Sequence, residues 1–318
     1  MTNVPSRWTG RPPLDHPRAG LAGATVAGEI LAIGGFRPGA AAPFDIVEAR
    51  RTGGNGTWRS LPAMPTPRAN LSAAELGGLV YAVGGLGADV DGRTPLLDVV
   101  ERYDPATRSW ESGPSMPVPR AAPGAVGLGG LLYVAGGEVS TAGGDWDVTD
   151  SVIAYDPVDR TWRTLAPMPT ARTRLRLVAA GGHLYAIGGF ANPPVALPVV
   201  ERYDPARDSW DQVAPMNEPR GLPGAVTARS GQEDVVVVVG GGQGELFTPT
   251  FTVSDSTEIY SVDADKWQVL EARLPRGRVS LVCALEEDGS VLAIGGAVGE
   301  PAPLGPTALV QALDLRTG

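Results

Sequence analysis

One phrase constrains this chain more than any other. An apolar, β-favouring run stops on two glycines, and it does so six times: at Leu31-Ala32-Ile33-Gly34-Gly35, Tyr81-Ala82-Val83-Gly84-Gly85, Tyr133-Val134-Ala135-Gly136-Gly137, Tyr185-Ala186-Ile187-Gly188-Gly189, Val237-Val238-Val239-Gly240-Gly241 and Leu292-Ala293-Ile294-Gly295-Gly296. The first glycines stand at 34, 84, 136, 188, 240 and 295, so the spacings are 50, 52, 52, 52 and 55 residues. A tryptophan keeps step at Trp8, Trp58, Trp110, Trp162, Trp210 and Trp267. An arginine follows each one, read as Arg18, Arg68, Arg120, Arg172, Arg220 and Arg276, after 10 residues in five repeats and 9 in the last. A period of this length marks a supersecondary unit that cannot bury its apolar face alone and must stack on its neighbours.

Each unit reads as four short strands. Strand a follows the arginine, as in Ala121 to Leu128, and a tight turn such as Gly129-Gly130 leads into strand b at Leu131 to Ala135. A variable segment follows the diglycine. Strand c is the phrase Val-Glu-Arg-Tyr-Asp-Pro at 100–105 and 200–205, closed by its Asp-Pro turn. Strand d carries the tryptophan, and proline-rich text returns the chain to the next arginine. The 43 glycines and 30 prolines among 318 residues fit so many turns, and no window sustains a helical period. Four antiparallel strands about every 50 residues match one blade of a β-propeller.

The diglycine after strand b, the strand-c tyrosines Tyr103, Tyr155, Tyr203 and Tyr260, and the spaced tryptophan resemble the kelch family. The resemblance covers nearly the whole chain. It implies an all-β fold, a six-bladed β-propeller of four-stranded antiparallel blades, formed by residues 1–318 as one domain. Two copies depart from the pattern, with Arg50 and Leu313 at the strand-c tyrosine position. Residues 307–314 look like strand c of the sixth blade, and no tryptophan follows them. The segment around Arg7-Trp8-Thr9 is therefore expected to supply that blade's outer strand and to close the ring.

The formal net charge is −9, and Lys266 is the only lysine. With no clustered positive charge to release counterions, nucleic acid is excluded as a main partner, and an anionic membrane surface is disfavoured. No stretch of about 18 apolar residues exists to span a membrane. Cys283 is alone, so no internal disulfide forms. Met1 to Gly10 lacks the charged and apolar regions of a signal peptide. A cytoplasmic monomer without cofactor is the expectation.

Function is expected where the repeats differ from one another. The b–c and d–a connections emerge on one face, and the b–c segments run roughly over 36–46, 86–97, 138–150, 190–198, 242–256 and 297–307. They vary in length and chemistry, as binding loops on a rigid scaffold do. All five phenylalanines (Phe36, Phe44, Phe190, Phe247 and Phe251) lie there, and so does Trp146, the one tryptophan outside the repeat. Phe36, Phe190 and Trp146 are thus candidates for a recognition rim, although such rings also cap blade edges. Four residues after the repeat arginine come Ala22, Ser72, Gly124, Arg176, Gly224 and Ser280; two after it come Gly20, Asn70, Ala122, Arg174, Leu222 and Arg278. In kelch propellers strand a lines the central channel. The resemblance therefore implies that Arg174, Arg176 and Arg278, with Asn70 nearby, make a positive site at the mouth, unless they pair internally with Glu75 or Glu138.

Other chemistry is thin. Asp145, Asp147 and Asp150 lack the full ligand spacing of a calcium cage, so no metal is expected. His183 lies in an a–b turn, and His16 lies just before Arg18 on the loop face. Copper oxidases of the galactose oxidase kind share this architecture but need a tyrosine–cysteine cross-link; here Cys283 sits within a strand and every tyrosine is a repeat residue. Two readings follow. The first is a binding or scaffold protein that recognises a protein, a peptide or a small anionic ligand through the b–c face and channel mouth. The second is a small-molecule enzyme such as a sugar-acid epimerase or mutarotase, with arginines on a carboxylate and His16, Glu138 or Glu300 moving protons.

Overall fold

The computed structural model describes residues 7–37, 42–53, 56–299 and 305–315; Glu300 lies outside them. Six four-stranded antiparallel sheets stand in a ring, with strand a of each innermost. Blade 1 is Ala22–Val26, Glu29–Ile33, Val47–Arg51 and Arg59–Ser60. Blade 2 is Ser72–Leu76, Leu79–Val83, Val100–Asp104 and Ser109–Ser112; blade 3 is Gly124–Leu128, Leu131–Ala135, Val152–Asp156 and Thr161–Leu165. Blade 4 is Arg176–Ala180, His183–Ile187, Val200–Asp204 and Ser209–Gln212, and blade 5 is Gly224–Ser230, Glu233–Val239, Thr257–Ser261 and Lys266–Val269. Blade 6 takes Val282–Leu285, Val291–Ile294 and Val310–Leu313 from the end of the chain and Trp8–Arg11 from its start. Trp8 pairs with Leu313 and Arg11 with Val310, so the N-terminal strand closes the ring as the repeat phase requires.

The diglycine explains why neighbouring blades hold a fixed pitch. Gly84 and Gly85 have φ of 61° and 107°. A Cβ on Gly84 would stand 2.4 Å from the carbonyl oxygen of Arg120 in the next blade, so only glycine fits both the conformation and the approach. The Gly85 amide donates to that same carbonyl at 2.9 Å. The link recurs around the ring, ending with Gly296 donating to Arg18 at 3.0 Å. Tryptophans tie the blades a second time, for instance Trp162 Nε1 donating to Pro114 at 3.1 Å.

The repeat arginines are buried struts. Arg68 donates to the carbonyls of Gly84 and Val99 at 3.1 and 2.8 Å and pairs with Glu101 of strand c at 2.7 Å. Arg18–Glu48, Arg172–Glu201 and Arg220–Glu258 repeat the pair. Arg120 meets Ser151 instead, because Ile153 holds the glutamate position in blade 3. The sixth strut differs from the sequence expectation. Arg278, not Arg276, fills it: Arg278 is wholly buried and bonds Ala293, Gly295, Leu309 and Gln311. Arg276 is exposed. Arg50, at a tyrosine position, forms a buried pair with Glu286 at 2.7 Å and so fastens blade 1 to blade 6.

Candidate functional site

The correction at Arg278 moves the last repeat by two residues. The ring two positions after each strut is then Gly20, Asn70, Ala122, Arg174, Leu222 and Ser280. All six have φ between 49° and 60°, in the left-handed region. The reason is a belt of backbone hydrogen bonds across the mouth on the loop face. Asn70 donates to Gly20 at 2.8 Å, Ala122 to Asn70 at 2.7 Å, Arg174 to Ala122 at 3.0 Å, Leu222 to Arg174 at 3.0 Å and Ser280 to Leu222 at 2.9 Å. Five of the six accept the strain of that conformation without being glycine, at about 1 kcal/mol each, because the belt overdetermines it.

Side chains complete the closure. Arg174 holds Glu138 through Nε at 3.1 Å and Nη2 at 2.7 Å, so the internal pairing is what the structure contains. Phe190 is 0% exposed. It lies over Gly221, packs with Ala196, Leu246, Leu222 and Phe251, and is not a rim residue. Phe36 is half-buried against Ala19, Leu222, Phe251 and Val279. Together these rings roof the blade 4 to blade 1 side of the mouth, while the Arg174–Glu138 pair roofs the blade 3 side.

Arg176 sits one level deeper. Its Nε donates to the Pro223 carbonyl at 2.5 Å and its Nη2 to the Leu281 carbonyl at 2.9 Å, so it spans from blade 4 to blades 5 and 6. Among the described residues no carboxylate accompanies it, and burial lowers its pKa despite the opposing influence of Cys283. Burial also pushes the Cys283 thiol up to about 12, against the pull of Arg176 and Arg278, so the sulfur is an inert wall atom at neutral pH.

The three arginines therefore do not converge. Arg278 is in the frame, Arg174 is paired and Arg176 is in the throat. The acid–base candidates are also apart. His16 Nδ1 lies 3.4 Å from Glu48, the carboxylate that pairs with Arg18, at a repeat position where Thr170 likewise contacts Glu201 at 2.6 Å. Glu138 belongs to Arg174. Asn70 contributes its backbone to the belt.

The exposed chemistry lies outward of the mouth, on the b–c loops. Trp146 is 43% exposed on the hairpin formed by Glu138–Ser140 and Trp146–Val148, and Phe247 is 88% exposed on the blade 5 loop. Val90 on blade 2 and Val195 on blade 4 are exposed as well, and neither stands out in the sequence. The only signal for them was their place in variable loops. Three of these loops are stitched into one ridge. Asn192 Nδ2 donates to Asp147 at 2.9 Å between blades 3 and 4. Between blades 4 and 5, Ala196 donates to Gly244 and Leu246 to Pro194, both at 2.9 Å. Asp145, Asp147 and Glu245 give the ridge acidic flanks.

The Kelch motif matches residues 67–117, 119–169 and 171–217, which are blades 2 to 4 with the entries of their strands. Three consecutive motifs of this kind support a kelch-repeat family for the chain. It is similar to Beta-scruin of Limulus polyphemus, at 32% identity over 190 residues, 57% of this chain and 20% of that one. It is similar to Kelch-like protein 34 of Homo sapiens, at 28% identity over 226 residues, 70% of this chain and 32% of that one. The match thus takes in between a fifth and a third of each of these relatives' own length. The solved structure of YjhT superposes with a TM-score of 0.75, covering 93% of this chain and 95% of that chain at 20% identity, which speaks for the fold. Kelch repeats with relatives of this kind support a kelch-type propeller of the binding or scaffold class.

Proposed function

We propose that the chain is a docking platform, and that the ridge formed by the b–c loops of blades 3 to 5 receives a protein or peptide segment carrying apolar anchors and basic flanks. The carrying observation is the pair Trp146 and Phe247. Large aromatic surface left in water on two loops of one stitched ridge costs solvation that a partner recovers. Val195 extends the apolar strip. The acidic flanks favour lysine or arginine beside the anchors, and their steering weakens with salt. The closed mouth behind the ridge argues for a partner lying across the face, not one inserting into the channel from this side.

A display selection of random peptides on the folded protein tests this reading. Enriched sequences are expected to combine an aromatic or aliphatic anchor with basic residues, and to lose binding at least about tenfold on the Trp146→Ala, Phe247→Ser double variant. Peptides that bind the double variant as well as the parent would overturn it.

A further inference from the structure

The opposite end of the channel has a different character. On the a–b turn face it opens as a funnel of about 490 Å³, within the range of small-ligand pockets. Its wall is apolar, with Ala125, Val126, Leu177, Ala225, Val226 and Leu285 prominent. Gly23, Ala73, Ala125, Leu177, Ala225 and Cys283 border both this funnel and a deeper cavity of about 80 Å³ that reaches Arg176. The small side chains at this level leave the bore open from the turn face to the guanidinium. Beyond Arg176 the bore narrows to a void of about 20 Å³ among the belt residues Gly20, Asn70, Ala122, Arg174, Leu222 and Ser280.

We propose that this blind channel binds a small monocarboxylate with an apolar body, entering tail-outward from the turn face and giving its carboxylate to Nη1 of Arg176. Two of the three nitrogens of Arg176 are held by carbonyls, and Nη1 has no hydrogen bond to any described residue. Arg18, Arg68, Arg172, Arg174 and Arg220 each have a glutamate. Arg120 and Arg278 lack one but are sealed inside their blades at 1% and 0% exposure. Among these arginines of the described residues, Arg176 is thus the one that lacks a carboxylate partner and borders a cavity, and a desolvated cation gains most from an incoming anion. The carbonyls fix the guanidinium plane, so the ligand does not have to order it. The wall sets the rest of the ligand. From the level of Arg176 to that of Glu75 at the rim is three residues of strand, about 10 Å, the reach of a short fatty acid or an aromatic acid. Glu75 is exposed at that wide end and accepts the Gly78 amide at 2.8 Å, so water screens the entering anion from it.

Calorimetric titration with hexanoate and with its neutral isostere hexanamide tests the proposal. Hexanoate is expected to bind about tenfold or more tighter than hexanamide. The preference should vanish in Arg176→Gln, with folding checked by circular dichroism. Ala125→Phe, which fills the bore without touching the charge, should abolish binding of both. The Trp146→Ala, Phe247→Ser variant should bind hexanoate unchanged, which separates this site from the docking ridge. Equal affinity for the two probes, no hexanoate binding up to about 10 mM, or hexanoate binding that survives Ala125→Phe would each overturn it.

Discussion

The two ends of the channel are made by the same six inner strands, yet they are built oppositely. On the loop face the backbone belt, the Arg174–Glu138 pair and the rings of Phe36, Phe190 and Phe251 close the bore, and outside them Trp146 and Phe247 stand in water. On the turn face the strands end in tight glycine turns such as Gly77-Gly78 and Gly181-Gly182, which carry nothing that could cover the opening. The difference follows from connection length. Four-stranded blades leave short turns at one end and long, variable loops at the other, so only one end has the chain needed to roof itself. The repeat struts also enter from the loop face, which puts most of the buried ionic framework there.

Substitutions should break that asymmetry in a graded way. The largest effect is expected from Glu201→Ala, which strands the buried Arg172 guanidinium and should cost about 3–5 kcal/mol by urea unfolding. Its counterpart on the turn face, Glu75→Ala, removes an exposed side chain and should stay within about 0.5 kcal/mol. Similar losses at the two sites would erase the contrast. Closure of the ring gives an intermediate case. Trp162→Phe deletes a bond to the neighbouring blade and should cost about 1 kcal/mol, whereas Trp8→Phe should cost less, because Trp8 Nε1 has no partner among the described residues.

The belt offers a change of the opposite sign. Ala122→Gly should raise stability by up to about 1 kcal/mol, since Ala122 sits at φ 49°. A loss would mean that the methyl group packs more than its backbone strains. Acid sharpens the comparison further through Glu218, on the loop face. Burial alone would raise its pKa, but hydrogen bonds from Ser256 and Ser254 and the charge of Arg220 outweigh this and hold it below the usual range. A depressed carboxyl stabilises the fold above its unfolded value of about 4.3 and loses that contribution as pH falls through the lower folded value. The stability gap between the parent and Glu218→Gln should therefore be widest near pH 7 and close below pH about 4. A gap independent of pH would rule out this linkage. The smallest effect on stability, within about 0.5 kcal/mol, belongs to Phe247→Ser, which should nevertheless weaken the selected peptides.

Most of the fold was legible in the sequence because six copies of one phrase repeat the same local instruction, and the position of Trp8 disclosed the closure. The phase of the last blade was not, because Arg276 and Arg278 both stand in Pro275-Arg276-Gly277-Arg278. A leucine three residues on would have decided it: Leu21, Leu71, Leu175 and Leu281 follow Arg18, Arg68, Arg172 and Arg278 at that distance. The site was less legible. Sequence showed which aromatic residues left the repeat, but Phe190 and Phe247 share that property and end at 0% and 88% exposure. What separates them is Gly221 of the next blade, whose missing side chain makes room for the Phe190 ring, and no local pattern carries such a contact. Sequence also set Arg176 apart, as an arginine at a position read as small in every other repeat. Its partners lie 47 and 105 residues away, so the face from which it is reached emerged only from the assembled ring.

Hydrogen exchange on the complex with a selected peptide tests the central asymmetry most directly. Protection is expected in the loops at 138–150, 190–198 and 242–251, with the a–b turns at 76–79, 128–131 and 180–183 unchanged. Protection centred on those turns, with the loops exchanging as in the free protein, would contradict the account.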